Sequence, residues 1–553
     1  MSSSSLVNAT MQFHNTEYPS GYGIFDYNLF DYSLFDSSTH QFGILNIQAA
    51  SLPHIDTDAE RTIWNIGFSV DISGSMSDTC KDGRDKMHHI RHTLSGILRV
   101  FSTISTVSVN VYVQAFDSKV EEIIDFVTVT PANIESLIKK IQNMFPRDET
   151  DLKKPLEKMN DIMSKRMALF PNQKFAHIML TDGEDTRGNT NDSIVSEVSQ
   201  EFKNVFIGFG TTHNSVLMEE MTNGVINDYR FIDKLESSGL VYGEIIHEIL
   251  YSAIESISIT VNNAEIYDWR TDTWEKQIGF HSLPYNVEKT FHIRSASPEL
   301  VTGKITGIPC HHSSSSLEEL TTFSFIVDID IESTTAPTVD LTKYIYRQKV
   351  QELLFMSKNV NSKKRLLSSN PFKPDPYVTN FKRDIRNFFD HMKRYVKTHM
   401  LSDDPFWKVL LDDIYVAMKV FNRPCSHMYT HSRQNSQGRQ QTYAVTNFED
   451  YFCESHPIKT QSHSSSFSQS KDDFDFDEME TIINDTLPYN RNSQRISMQR
   501  SPSINVDCCW EEDKCDAIGL EHELSDSIET SYQTPEIMKM MRDVSCGDVK
   551  KCN

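Results

Sequence analysis

The sequence predicts an α/β fold, a doubly wound and mostly parallel sheet, joined to an additional β-sandwich domain, a helical segment and a disordered tail. Two apolar runs with little alternation, at residues 62–70 and 174–181, are typical of strands that are buried on both faces of a parallel sheet. Strand and helix patterns alternate around them, which indicates βαβ units with right-handed crossovers. From Ser258 the hydrophobic period changes to two, which is typical of consecutive antiparallel strands.

The first buried strand stops abruptly at Asp71-Ile72-Ser73-Gly74-Ser75, where apolar side chains give way to one carboxylate and two hydroxyls. This position is the carboxyl edge of the sheet, where open α/β folds bind their ligands. Asp71, Ser73 and Ser75 alternate along the chain, so their oxygens can point to the same side, and Gly74 lets the backbone turn. The loop therefore presents three hard oxygen ligands together.

The elements that follow complete the predicted sheet. Helical spacing of apolar residues predicts helices at 82–104, 132–144, 151–169, 191–202, 215–222 and 239–257. Strand patterns are found at 107–116, 119–129, 174–181, 204–210 and 229–232. The strand at 174–181 ends in Asp182-Gly183. A second polar loop is therefore expected at the same sheet edge as Asp71.

Three loops of this sheet resemble the metal-ion-dependent adhesion site of the von Willebrand factor type A family. The family's DxSxS pattern is present at 71–75, its TDG loop at 181–183, and Thr150 stands where a helical pattern begins. The resemblance implies a VWA/Rossmann-like fold and a metal site formed by five side chains: Asp71, Ser73, Ser75, Thr150 and Asp182. It implies direct metal bonds from both serine hydroxyls, with the other three residues binding directly or through water. Mg²⁺ is the expected ion, because it takes oxygen ligands in an octahedron and keeps several waters, with Mn²⁺ or Ca²⁺ as alternatives.

The resemblance also implies what such a site does. Two carboxylates and neutral hydroxyls leave the cation underneutralised, and one coordination position is open to an Asp or Glu of a partner protein. The loop around Thr150 departs from the family, which usually has glycine before the threonine, whereas Asp148 and Glu149 precede it here and Asp151 follows. These carboxylates could raise metal affinity or favour Ca²⁺, but we expect them to be solvated surface.

Length and composition predict several domains. A chain of 553 residues is too long for one core, and a hydrophobic fraction of 38% indicates that part of it is not packed. The strand pattern at 42–49 precedes the type A domain and could instead join the β domain, which would then be discontinuous. The predicted units are an N-terminal arm at 1–40, the type A domain at 41–257, a β-sandwich-like domain at 258–340, a helical domain at 341–425, and a disordered acidic tail at 426–553 with a short helix at 534–544. That short helix either docks back on the body or grips another protein.

Charge and composition exclude several classes of partner. A net charge of −23 disfavours nucleic acid and anionic membrane surfaces. No run of 18 apolar residues is present, and the first residues lack the pattern of a signal peptide. The nine cysteines contain no CxxC pair, and we expect Cys310-His311-His312 to be a surface strand or loop. These features predict an intracellular, cytoplasmic protein that spans no membrane.

The order of the predicted domains is similar to that of intracellular type A proteins related to the plant wavy-growth ubiquitin ligases. Local similarity includes residues 181–186 and 433–444, but the paired cysteines and histidine of a RING domain are missing. Phosphate-binding glycine loops, GxSxG and HExxH are also missing, so we expect no enzyme activity. The leading hypothesis is a scaffold that binds a protein partner through its metal. The alternatives are a metal-assisted enzyme, a subunit of an ATPase or ubiquitin-ligase assembly, and a structural protein with an unused metal site.

Overall fold

The computed structural model describes residues 6–14, 40–51, 61–80, 83–147, 149–210, 213–222, 224–232, 238–310, 329–332, 339–367, 376–421, 426–441 and 535–546. The predicted aromatic arm beyond residue 14 and the tail between residues 442 and 534 lie outside these ranges, as do Asp148, His311 and His312.

The type A region forms the predicted doubly wound sheet. Its six strands lie in the order β5-β4-β3-β6-β7-β8, and all neighbours are parallel except β4 and β5. The strands are β3 (Thr62–Asp71), β4 (Val107–Phe116), β5 (Val120–Thr128), β6 (Lys174–Thr181), β7 (Lys203–Phe209) and β8 (Asp228–Ile232). The helices are α1 (Lys86–Thr103), α2 (Ile134–Gln142), α3 (Lys153–Leu169), α4 (Asn191–Val195), α5 (Ser215–Met221) and α6 (Ser238–Leu250).

Strand β3 is central to this sheet, as its apolar run predicts. It pairs in parallel with β4 on one side and with β6 on the other. On one face, Phe68 and Val70 lie in a core with residues of α1 and α6. On the other face, Gly67 has no side chain, so Met159 and Met163 of α3 contact the strand closely. Because β3 is covered on both faces, its carboxyl end is held rigidly between its neighbours.

Two predicted helices end at least seven residues before their predicted ends in the structure. The pattern at 191–202 forms helix only to Val195. The helix predicted at 239–257 ends at Leu250, and β9 begins at Ser252. Ile254 and Ile257 fit a helical spacing in sequence, but in the structure both belong to the core of the antiparallel region. Long-range strand pairing therefore overrides the local helical pattern at this boundary.

The antiparallel region consists of two sheets that share one hydrophobic core. The first has the order β1-β2-β13-β10-β11 and the second β12-β9-β14-β15. The strands are β1 (Val7–Phe13), β2 (Gln41–Ala49), β9 (Ser252–Asn262), β10 (Glu265–Asp268), β11 (Thr273–Glu275), β12 (Gln277–Pro284), β13 (Glu288–Ser295), β14 (Thr302–Pro309) and β15 (Ile329–Glu332).

Strands from both sides of the type A region meet in the first of these sheets. Strand β2 pairs with β13 from Gln48 opposite Glu288 to Gln41 opposite Ser295. From the sequence, this strand precedes the type A domain and could belong to either domain. Its pairing with β13 shows that it belongs to the antiparallel region. The assignment of all residues 1–40 to an arm is wrong for Val7–Phe13, which form β1 against β2. Val7 and Met11 are buried, so two apolar side chains anchor this segment. The polar residues around them in the sequence made the strand hard to predict.

The C-terminal part of the described chain is helical. Helices α7 (Thr342–Leu367), α8 (Pro376–Thr398) and α9 (Pro405–Val420) lie within the segment predicted to be helical at 341–425. Helix α10 (Ser426–Arg439) lies where the sequence predicts disordered tail, so that prediction is wrong for residues 426–441. No helix within the described ranges has the length and apolarity needed to cross a membrane.

Helix α10 is polar in sequence yet buried over nearly its whole length. Its side chains donate hydrogen bonds to three different parts of the fold: Asn435 to the Tyr229 carbonyl in β8, Gln434 to the Trp269 carbonyl beside β10, and Arg433 to Asp412 in α9. Buried polar groups of this kind are stable only when they are hydrogen-bonded. The partners are far away in sequence, which is why composition alone predicts disorder here.

The short helix predicted at 534–544 is present as α11 (Pro535–Cys546) and contacts the body of the fold. Met540 and Val544 join the core of the parallel sheet, whereas Ile537 and Met541 join the antiparallel core. Gly243 of α6 allows the backbone of Met541 to approach, because any side chain there would overlap it. Helix α11 therefore covers α6 and connects both cores.

Candidate metal centre

The five predicted ligands meet at the carboxyl edge of the parallel sheet. Asp71 is the last residue of β3, and Ser73 and Ser75 lie in the short 3₁₀ turn that follows. Asp182 follows β6, the strand beside β3, and Thr150 precedes α3. Parallel pairing brings the ends of β3 and β6 to the same edge, so residues about a hundred positions apart become neighbours.

Asp71 is fully buried and held from two sides. Its Oδ1 accepts a hydrogen bond from the Ser73 backbone N–H at 2.8 Å, and its Oδ2 accepts one from the Thr181 hydroxyl at 2.6 Å. Burial, and secondly the neighbouring charge of Asp182, raise the pKa of Asp71 to about 7, against the opposing effect of these hydrogen bonds. Without a compensating cation the site therefore disfavours its own negative charge.

The two serine hydroxyls form a chain that leads to the second carboxylate. Ser73 Oγ and Ser75 Oγ lie 3.1 Å apart, and the Ser75 hydroxyl donates to Asp182 Oδ1 at 2.7 Å. Lys86, the first residue of α1, donates to Asp182 Oδ2 at 2.6 Å and to Asp78 at 3.1 Å. Burial disfavours the charge of Lys86, but its two carboxylate partners outweigh this and raise its pKa. Both oxygens of Asp182 are thereby engaged.

Thr150 is positioned by the loop that carries Thr186. The Thr150 backbone N–H donates to Thr186 Oγ1, and the Thr186 backbone N–H donates to the Thr150 carbonyl, each at 2.9 Å. Its hydroxyl faces Gly183: a β-carbon at that glycine would lie 3.4 Å from Thr150 Oγ1 and 3.9 Å from Ser75 Oγ. A residue without a side chain therefore stands between two of the predicted ligands.

The additional carboxylates near Thr150 have separate functions. Asp151 is buried, and its Oδ1 accepts hydrogen bonds from the backbone N–H groups of Lys153 and Lys154, so it caps helix α3. The expectation that these carboxylates are solvated surface is thus wrong for Asp151. Glu149 is partly exposed and pairs with Arg187.

The donor set fits a hard divalent cation. It has two carboxylates and three hydroxyls, and no group of three or more His, Cys, Asp or Glu that could hold a metal is found within the described ranges. A centre with two carboxylates and three hydroxyls contains no group of that kind, so the two observations agree. Oxygen-only donors suit Mg²⁺, Mn²⁺ or Ca²⁺ better than softer metals. The sequence analysis missed Lys86, although a lysine at the start of the helix after the ligand loop was visible.

The comparisons with known proteins agree with this geometry. The family profile described as von Willebrand factor type A domain matches residues 65–240. The chain carries a type A domain. That match begins within β3 and includes all five predicted metal ligands. No curated protein matches the chain.

Solved structures with type A domains are similar to the chain at low identity. A von Willebrand factor type A protein from Catenulispora acidiphila has 10% identity and a TM-score of 0.47, covering 79% of this chain and 98% of its own. The ArnB paralog VWA2 from Sulfolobus acidocaldarius has 14% identity and a TM-score of 0.42, covering 78% and 98%. Proximal thread matrix protein 1 from the mussel byssus, described with a zinc-occupied MIDAS motif, has 16% identity and a TM-score of 0.24, covering 31% and 41%.

The pKa of Asp71 predicts how divalent cations and pH act together on stability. Between an unfolded pKa of about 3.9 and the folded value of about 7, the folded protein binds a proton that the unfolded chain has lost, so this group's contribution to stability falls as pH rises. A bound cation replaces that proton. We expect the increase in Tm that Mg²⁺ produces over EDTA to be larger at about pH 8 than at about pH 5.

Thermal unfolding of wild type and Asp71→Asn in both buffers tests this expectation. The substituted amide cannot ionise, so its Mg²⁺-dependent increase should be small and nearly independent of pH. An equal Mg²⁺ effect at both pH values in the wild type would contradict the proposed link between Asp71 and the cation.

Lys86 places a positive charge beside the site, and its removal should tighten cation binding. In Lys86→Met, Asp182 loses its ammonium partner, so less positive charge offsets the repulsion between Asp182 and Asp71. We expect Mg²⁺ affinity to rise about tenfold, equal to about 1.4 kcal/mol, and metal-free stability to fall. Isothermal titration calorimetry measures both variants, with Lys139→Met on the exposed side of α2 as the matched control. An unchanged Mg²⁺ affinity in Lys86→Met would show that Mg²⁺ and the Lys86 ammonium do not compete for Asp182.

Proposed function

We propose that this type A domain binds a protein partner through a divalent cation held by Asp71, Ser73, Ser75, Thr150 and Asp182. The observation that carries the proposal is the convergence of three separate loops into one cluster of oxygen atoms at the carboxyl edge of the sheet. When bound, the cation supplies a coordination position for a carboxylate of the partner. Mg²⁺ is the proposed ion, with Mn²⁺ and Ca²⁺ as alternatives.

The charge at the site supports an acidic partner. Asp71 and Asp182 contribute two negative charges when ionised, and Lys86 offsets one of them. A divalent cation therefore leaves this cluster net positive, and a carboxylate from outside would neutralise it. A cationic or neutral ligand would gain less, because it cannot compensate the remaining charge.

Accessibility also supports binding from solution. Asp71 and Asp182 are buried, whereas Ser75 and Gly183 are half-buried and Glu184 is exposed. The carboxylates thus lie at the floor of the site and the hydroxyl of Ser75 nearer its rim. A partner that approaches from solution would meet the rim first, while the floor stays fixed by the sheet.

We propose a binding function without catalysis. The serine hydroxyls are hydrogen-bonded to each other and to Asp182, and the second oxygen of Asp182 is taken up by Lys86. The protein would act as an intracellular scaffold, and Cys80 and Cys310, which form no disulfide, suit a reducing compartment.

Capture of partners from a cell lysate with and without divalent cation tests the proposal. Immobilised full-length protein should retain a set of proteins in Mg²⁺ that is lost in EDTA and lost again with Asp71→Ala. Asp161→Ala, which removes an exposed carboxylate on α3, is the matched control and should retain them. If the retained set is the same in Mg²⁺, in EDTA and with Asp71→Ala, metal-dependent binding is excluded.

A further inference from the structure

A small pocket of about 30 Å³ opens where the antiparallel region meets helix α10. Its aromatic side is formed by Trp269, Phe280 and Phe291, and its polar side includes Arg270, Lys289 and Arg439. The pocket is separate from the candidate metal centre, since none of the five predicted metal ligands lines it. Its chemistry is therefore independent of the proposed function.

Lys289 is the unusual member of this pocket. The residue is 8% exposed, and its Nζ lies 5.4 Å from the centroid of the Phe280 ring. Within the described ranges, its ammonium group forms no hydrogen bond and no ion pair. An ammonium that is largely withdrawn from water, as here at the wall of a pocket, normally lies against hydrogen-bond acceptors, because its charge is costly to desolvate.

The other cations nearby, buried or half-buried, already have carboxylate partners. Lys203 pairs with Glu248, Arg230 with Asp228 and Glu244, Arg270 with Asp268, and Arg439 with Asp228. Glu248, the acidic residue that lines the pocket, also accepts hydrogen bonds from Ser282 and Gln441. These carboxylates thus form their ion pairs with other cations, and Glu248 acts on Lys289 only through its longer-range charge. The cluster is left with an excess of positive charge.

The electrostatics of Lys289 are consistent with this count of partners. Burial lowers the pKa of Lys289 to about 8. The negative charge of Glu248 raises this pKa, but the combined lowering by burial, Arg439 and Lys203 is larger. At neutral pH the ammonium is still the major form. The pocket therefore holds a charged donor group with three hydrogens and no acceptor from the described protein.

We propose that this pocket binds an oxyanion, the carboxylate or phosphate group of a small molecule, with Lys289 as its principal donor. The pocket volume admits one such group and no bulky ligand, while Trp269 and Phe280 can contact an adjoining apolar part. Arg270 and Arg439 add positive potential without giving up their own partners. An anion would supply the acceptor that Lys289 lacks and offset the cost of its burial.

Titration of the full-length protein with sodium phosphate and, separately, sodium acetate tests the proposal and distinguishes the two oxyanions. EDTA is present throughout so that the metal centre does not contribute, and ionic strength is kept constant with chloride. We expect saturable binding and a rise in Tm with at least one anion in wild type. Lys289→Met should bind at least tenfold more weakly and should have a higher Tm than wild type without anion, because an unpaired buried charge is removed.

Lys276→Met, on the exposed edge of the same region, is the matched control and should behave as wild type. If Lys289→Met does not fold, Lys289→Gln provides the same comparison with a polar side chain of similar length. Absence of saturable binding of either anion to wild type overturns the proposal. Equal binding by wild type and the Lys289 variant overturns it as well.

Discussion

Replacing Ser73 and Ser75 together by alanine is expected to weaken Mg²⁺ binding at least about a hundredfold. The two hydroxyls lie 3.1 Å apart between the ends of β3 and β6, and Ser75 also orients Asp182. The double variant removes two neutral oxygen ligands and leaves both carboxylates, which cannot complete an octahedron alone. Isothermal titration calorimetry with Mg²⁺ and Mn²⁺ measures the loss.

The control for this variant is a second pair of nearby serines that has no place in the cluster. Ser193→Ala/Ser196→Ala removes two hydroxyls that bond to backbone carbonyls in and beside α4. Its affinity for Mg²⁺ should equal that of wild type. If the Ser73/Ser75 variant bound Mg²⁺ as tightly as wild type while remaining folded, the cation would have to bind elsewhere.

Gly438→Ala is expected to lower the free energy of unfolding by about 3 kcal/mol, although alanine favours helix over glycine. Gly438 lies near the end of α10, and a β-carbon there would overlap the indole ring of Trp269. The intrinsic preference for alanine would stabilise the helix by about 1 kcal/mol, so the sign of the effect decides between propensity and packing. Urea denaturation of the full-length protein measures the shift.

A matched control and a second background make this test specific. Gly279→Ala places a β-carbon 3.5 Å from the Ile257 carbonyl, an ordinary contact, and should cost little. In a Trp269→Ala background the overlap is removed, so Gly438→Ala should then be nearly neutral or stabilising. A similar cost in both backgrounds would show that the Trp269 contact does not limit the approach of α10.

Sequence reasoning was accurate where local pattern and tertiary environment demand the same structure. The strands at 107–116 and 174–181 have the predicted bounds, and the doubly wound, mostly parallel sheet is confirmed. A continuous apolar run can be buried on both faces only in the middle of a sheet, so little choice remains. The polar residues directly after such runs were predictable for the same reason.

It failed where stability comes from partners that are distant in the chain. Helix α10 has the composition of a disordered tail, but its polar side chains are satisfied by β8, α9 and the region of Trp269. Asp151 resembled one more surface carboxylate, and its capping of α3 and hydrogen bond from Asn189 emerge only in the folded loop. Contacts of this type produce no periodic pattern of apolar residues in the sequence.

The amino-acid sequence alone determined the type A sheet and the polar loops that follow β3 and β6, because strand burial and short loops are local properties. The set of five predicted ligands came from the resemblance to the type A family. The tertiary structure decided that Lys86 neutralises Asp182, that α10 is a buried helix, and that Lys289 forms no ion pair within the described ranges. Each of these depends on which polar and charged side chains become neighbours in the folded chain. Tertiary packing decides this, and the spacing of residues along the sequence does not predict it.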